Sequence, residues 1–184
     1  MAIVDVPVKK IRLTNPDEIA AYLGAIGIDY ERWEDPKKIP SDATDEEILD
    51  SYRDEIEALK AEGGYVTANV INIFPTTPGL DEMLNKFNQE HWHDEDEVRF
   101  ILEGHGLFHI APKGGDVVAI ELEAGDMIRV PRGTRHWFNL CGDRMIRAIR
   151  LFQDIHGWTP HYTDSGVDSG YQPLAFGSHY PSHK

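Results

Sequence analysis

Cysteine is almost missing from this chain. Cys141 is the only one in 184 residues, which rules out an internal disulfide and a cysteine-rich structural zinc site. As a small side chain it is expected to be half-buried on a strand, and a lone thiol fits a reducing compartment. Positive charge is scarce as well: 18 Lys and Arg stand against 32 Asp and Glu, a net charge of −14. A field of that sign repels phosphate backbones and anionic lipid headgroups, which argues against nucleic acid and membrane as partners. No apolar run approaches the roughly 20 residues that span a bilayer. The start Met1-Ala2-Ile3-Val4-Asp5 has neither a basic region nor a cleavable apolar stretch. The expectation is a monomer in the cytoplasm, with one domain over residues 1–184 that buries around 70% of its unfolded surface.

The first third reads as helical. Asn15-Pro16-Asp17-Glu18 offers a capping side chain, proline at the first helical position and acids at the positive end of the dipole. Ile19, Leu23 and Ile26 follow at helical spacing until Gly24 and Gly27. A loop bounded by Pro36 and Pro40 leads to Thr44-Asp45-Glu46-Glu47, a capping box for a longer helix. Its apolar stripe is Ile48, Tyr52, Ile56 and Leu59, closed by Gly63-Gly64. Eight acids against Arg53 alone between Asp42 and Glu57 read as a solvated outer face, or else as a docking surface for a basic partner.

From Tyr65 the pattern turns to strand, and a barrel is expected over 65–152. Pro75-Thr76-Thr77-Pro78-Gly79 is a turn, and Leu80, Met83, Leu84 and Phe87 make one helical stripe. Short strands are expected at 107–111, 117–122, 127–130, 137–140 and 145–152, the rhythm of an antiparallel barrel or sandwich. From Gln153 to the end, 153–184, the composition reads as an irregular tail packed across the barrel, with Trp158, Tyr162, Tyr171 and Phe176 among its aromatics.

The chemistry is concentrated between Glu90 and Gly104. In an extended backbone His91, His93, Glu97 and Arg99 project to one side, and Val98, Phe100 and Leu102 to the other. Such a polar face is costly to bury unless something binds it, and a divalent metal satisfies the first three at once. A second segment, from Gly125 to Asn139, reads as turn, strand, Pro131-Arg132-Gly133 turn and strand, and His136 supplies a fourth ligand. Three imidazoles and one carboxylate leave two adjacent positions on a six-coordinate metal, a set that suits Fe(II), Ni(II), Co(II) or Mn(II). The residual charge favours a bidentate, deprotonated oxygen ligand such as an enediolate, and Arg99 adds a second positive group. On the strand 145–152, Arg150 shares a face with Ile146, Ala148 and Phe152, and Arg147 with Met145, Ile149 and Leu151. Alternation alone does not say which arginine turns inward. His105, His109, His156, His161, His179 and His183 read as surface or hydrogen-bonded structural histidines.

The order His-x-His, three residues, Glu, six residues, Gly, then Gly, five residues, Pro-x-Gly, two residues, His resembles the two-part signature of the cupin barrels. One departure is that two residues separate His136 from Asn139 where the usual pattern has three. The fold implied is mainly β, a cupin-type double-stranded β-helix (jelly-roll barrel) with an α-helical N-terminal region. Phe87-Asn88-Gln89-Glu90-His91-Trp92-His93, Asp96-Glu97-Val98-Arg99-Phe100 and Ile149-Arg150-Leu151-Phe152 resemble the acireductone dioxygenases of methionine salvage. The likeness covers 65–152 and is weaker in the helical front and in Gly157-Trp158-Thr159. This resemblance implies that His91, His93, Glu97 and His136 hold one Fe(II) or Ni(II) per chain, that Arg99 and Arg150 hold the substrate, and that Phe87 borders the cavity if it is not simply core. The implied substrates are the enediol 1,2-dihydroxy-3-keto-5-methylthiopentene and dioxygen. Other readings are a ring-opening dioxygenase or isomerase on the same ligands, and a non-catalytic binding protein.

Overall fold

The computed structural model describes residues 1–33, 37–156 and 158–171. Pro36, Gly157, Phe176, His179 and His183, each singled out above, lie outside the described residues. In chain order the elements are β1 (Ile3–Val6), β2 (Ile11–Leu13), α1 (Pro16–Ala25), β3 (Asp29–Arg32), α2 (Asp45–Ser51), α3 (Arg53–Gly63) and β4 (Thr67–Ile73). There follow α4 (Leu80–Phe87), β5 (His91–Trp92), β6 (Glu97–Ile110), β7 (Val118–Glu123), β8 (Asp126–Val130), β9 (His136–Leu140), β10 (Ile146–Phe152) and β11 (His161–Tyr162). Among the described residues no helix is long and apolar enough to cross a membrane.

Two antiparallel sheets share the 14-residue strand β6. One runs β11-β5-β9-β6-β7-β1-β2, and the other runs β4-β10-β6-β8-β3. The first half of β6 pairs with β8 and β10, and the second half with β7 and β9. At the corner the register steps from Arg147 opposite Glu103 to Ala148 opposite Ile101, which leaves Leu102 as the extra residue of a bulge. Gly104 follows with φ of +75°, and a Cβ there would lie 2.1 Å from the Met145 carbonyl oxygen, so only glycine fits the turn. The bulge also inverts the alternation: Ile101 points into the barrel before it, Phe108 and Ile110 after it.

The barrel interior is filled by Val4, Val6, Ile101, Phe108, Ile120, Ile128, Phe138, Leu140, Ile146 and Ala148. A second core lies on the outer face of the β4-β10-β6-β8 sheet, where Val98, Phe100, Ile149 and Leu151 meet Ile48, Tyr52, Ile56 and Leu59. The expected caps are present. Asn15 accepts from the backbone of Asp17 and Glu18, Thr44 and Glu47 form the reciprocal box, and Gly64 ends α3 in the left-handed conformation. The expected long helix is two, broken at Tyr52 with φ of −107° and ψ of 21°, and the buried Tyr52 ring packs edge-on against Phe100 beside Trp33. The region before Tyr65 also contributes three strands that pair into the sheets, so the β structure starts earlier than expected.

Candidate metal centre

The extended run expected from His91 to Arg99 is not one strand. β5 stops at Trp92, residues 93–96 form a loop, and Glu97 opens β6. The four polar side chains nonetheless converge, because β5 pairs with β9 with His91 opposite His136, and the loop carries His93 back beside Glu97. Among the described residues, His91, His93 and His136 form one group of potential ligands with atoms within 4.8 Å of one another. Glu97 Oε2 lies 3.0 Å from His136 Nε2 and 3.2 Å from His93 Nε2. All four side chains are buried, at 1–2% exposure.

Each imidazole is fixed by its other nitrogen. Nδ1 of His91 lies 2.7 Å from the Gln89 carbonyl oxygen, Nδ1 of His136 lies 2.8 Å from that of Thr134, and Nδ1 of His93 lies 2.8 Å from that of Thr159. A carbonyl oxygen only accepts, so each Nδ1 carries the proton and each Nε2 presents a lone pair to the centre. His91 Nε2 and His93 Nε2 are buried without a hydrogen-bond partner among the described residues, the 3.2 Å approach of Glu97 to His93 being close but poorly aligned. Burial, with His136 close by, pushes His91 down to about 3, so it does not take up a proton near neutrality. Burial alone would raise Glu97, but the Arg99 charge beside it reverses this and holds it well below the usual carboxylate range. Lone pairs therefore face lone pairs around an ionised carboxylate, and a cation between them resolves the arrangement. The donor set of three nitrogens and one oxygen fits such an ion.

Next to this centre stand two arginines. Arg99 donates Nε–H to Glu97 Oε1 at 2.7 Å, and its buried Nη1 has no partner among the described residues. Its guanidinium lies over the Phe138 ring at 4.2 Å, with Phe108 and Trp158 at 5.4 and 5.3 Å. Arg150 stands opposite Arg99 in the β10–β6 register and donates Nε–H to Asn69 Oδ1 at 3.0 Å. Burial and the like charge of Arg99 push it down to about 10, still protonated at neutral pH. The structure separates the two arginines of β10. Arg150 faces the barrel interior, and Arg147 faces the outer core, donating to Asn72 Oδ1 and to the carbonyls of Pro40 and Ser41.

Trp158 roofs the site. Its indole is nearly parallel to His93 at 6.1 Å, lies against Phe152 at 4.5 Å and donates Nε1–H to the Asp96 carbonyl. The sequence singled out the Trp158-Thr159 pair but gave no sign that the Thr159 carbonyl orients His93, since the partners are 66 residues apart. Phe87 packs on the interior core with its ring 5.8 Å from that of His91. The remaining described histidines lie elsewhere. His105 pairs with Asp143, His109 stacks on Trp137 on the sheet face opposite Phe108, His161 pairs with Asp94 and stacks on Trp92, and His156 is exposed. Asn139 is buried on that outer face and accepts from the Leu140 backbone. Cys141 is fully buried with Leu107 and Ala119 instead of half-buried.

An antiparallel jelly roll in which three buried imidazoles converge defines a metal-binding cupin. A family model described as the ARD/ARD' family matches residues 8–160. The chain is 41% identical over 165 residues to an acireductone dioxygenase of Picosynechococcus sp., covering 90% of this chain and 94% of that one. It is 42% identical over 171 residues to an acireductone dioxygenase of Geobacillus thermodenitrificans, covering 88% and 94%. The solved structure of acireductone dioxygenase from Bacillus anthracis, with a cadmium ion in its active centre, superposes with a TM-score of 0.80 at 38% identity, covering 88% of this chain and 98% of that one. The chain belongs to the ARD/ARD' family, the acireductone dioxygenases.

Proposed function

We propose that His91, His93, Glu97 and His136 hold one Fe(II) or Ni(II) ion per chain, and that Arg99 and Arg150 bind the enediolate form of 1,2-dihydroxy-3-keto-5-methylthiopentene for cleavage by dioxygen. The observation that carries this reading is the set of three imidazoles whose Nδ1 protons are all committed to carbonyl oxygens, leaving three clustered Nε2 lone pairs, two of them 3.0 and 3.2 Å from Glu97 Oε2. When bound, the ion would supply a Lewis acid that polarises and orients the enediolate.

The chain's own residues do the rest. The unpartnered Nη1 of Arg99 and the guanidinium of Arg150 give two cations against the single charge of Glu97, a net positive wall suited to an anionic ligand. Phe138, Phe152 and Trp158 line the space around those guanidiniums and keep water from it, which strengthens each charge–ligand contact. Atoms balance for either outcome. Enediol plus dioxygen gives formate and 4-methylthio-2-oxobutanoate with Fe(II), or formate, carbon monoxide and 3-methylthiopropanoate with Ni(II). The first set would serve methionine salvage, and we read the enzyme as a cytoplasmic monomer. Product analysis by NMR and gas chromatography, after loading metal-stripped protein with each ion, tests this. The reading expects the two product sets to follow the two metals. Cleavage of an aromatic diol with no turnover of the acyclic enediol would point to another cupin dioxygenase.

A further inference from the structure

The three imidazoles are not held alike. His91 and His136 bond to carbonyls two residues upstream in their own segments, so their orientation is set locally. The partner of His93, the Thr159 carbonyl, arrives from a segment that leaves the barrel after β10 and returns across its end. That segment, 158–165, is tied down at several points beside the metal centre, and two of its side-chain hydroxyls meet on one buried carboxylate. Glu90, the residue before His91, is 2% exposed. Its Oε2 accepts from the hydroxyls of both Thr163 and Ser165, and its backbone carbonyl accepts from Thr163 N–H at 3.1 Å. Other ties of the same segment are the two-residue pairing of β11 with β5, Trp158 Nε1–H donating to the Asp96 carbonyl, His161 paired with Asp94, and the Tyr162 hydroxyl donating to the Lys86 carbonyl.

We propose that Glu90 is a positioning residue. Its buried carboxylate latches the 158–165 strap to β5, and through that strap it places the Thr159 carbonyl that sets the orientation of His93. A carboxylate that collects two hydroxyl donors from one short segment is a stronger tether than the two-residue strand pair beside it, because each bond is charge-assisted. The Glu90 carboxylate is directed at Thr163 and Ser165 of the strap. Its effect falls on one imidazole of three, which distinguishes it from a general contribution to stability. The inference rests on the reading of His93 as a metal ligand given above.

The test uses Glu90→Ala, with Thr163→Val/Ser165→Ala as a second route that removes the donors and leaves Glu90 in place, and Glu90→Gln as the conservative variant. The first measurement is amide hydrogen exchange on metal-free protein, which does not depend on the ion. Exchange across 159–163 is expected to rise about tenfold or more in the first two variants, the effect of losing one charge-assisted bond, and to be unchanged in the strands of the barrel. The second is proton NMR of Co(II)-loaded protein, where each ligand imidazole contributes one exchangeable, strongly shifted Nδ1–H signal. One of three is expected to be lost to solvent exchange in both variants and to return in Glu90→Gln. Unchanged exchange across 159–163 overturns the latch. Faster exchange with all three imidazole signals intact, or all three lost together, overturns the positioning role. Failure of the unsubstituted protein to bind Co(II) instead overturns the metal reading itself, and the exchange measurement still decides the latch.

Discussion

Arg99 Nε lies 2.7 Å from Glu97 Oε1, and this one contact divides the carboxylate between two tasks. One oxygen neutralises a buried guanidinium while the other faces His136 and His93. Glu97→Gln therefore removes two things. Metal affinity should fall by more than the roughly 10- to 100-fold that follows loss of an outer hydrogen-bond partner. Metal-free protein should also lose about 3–5 kcal/mol, because Arg99 is left buried without its counter-charge. Chelator competition measures the first and urea denaturation the second, and native values for both would contradict the assignment.

Arg147 and Arg150 should give opposite results although they are three residues apart. Arg147→Ala breaks bonds to Asn72 and to the carbonyls of Pro40 and Ser41, and should cost about 1–3 kcal/mol with metal affinity unchanged. Arg150→Ala removes a half-buried cation facing the barrel interior. It should raise KM for the enediol about tenfold or more with little change in the denaturation midpoint. Denaturation curves and steady-state kinetics on the two variants check the pair.

Acid should destabilise the metal-free protein well above the range in which carboxylates titrate. The folded protein keeps His91 unprotonated down to about 3, whereas the unfolded chain takes up that proton near 6.5. Between those values the unfolded state binds more protons, so stability present at pH 7 is lost as pH falls from about 6.5. Glu97, held below its ordinary value, adds to the loss below about 4.5. Denaturation midpoints between pH 7 and 5 should fall steadily, and the slope should flatten in His91→Gln.

Glycine at the corner of β6 should be irreplaceable in a way that a surface glycine is not. Gly104→Ala adds a Cβ 2.1 Å from the Met145 carbonyl oxygen on top of the left-handed backbone cost of about 1–2 kcal/mol. Gly114→Ala has a similar φ of +74° with nothing within 4 Å, and should show the backbone cost alone. Urea denaturation of the two variants separates strain from collision.

The site was more legible than the scaffold around it. That His91, His93, Glu97 and His136 belong together is legible because a polar cluster in an apolar pattern stands out, and the structure brings their side chains together. Their presumed geometry was not legible, since one strand from 91 to 99 ignores the loop at 93–96, and the convergence comes from β5 pairing with β9. The strands β1, β2 and β3 are three or four residues long, too short for alternation to announce them against neighbouring helical signals. Arg147 and Arg150 were undecided because both faces of β10 are buried, one in the barrel and one under α2 and α3. The bond from Thr159 to His93 has no local signature at all.

The central claim is that three imidazoles and Glu97 bind one cation together, and metal uptake tests it most directly. Metal-stripped protein titrated with Ni(II) under a competing chelator should take up one ion per chain, and His136→Ala should retain almost none at the same free-metal concentration. Equal uptake by the two proteins would contradict the account.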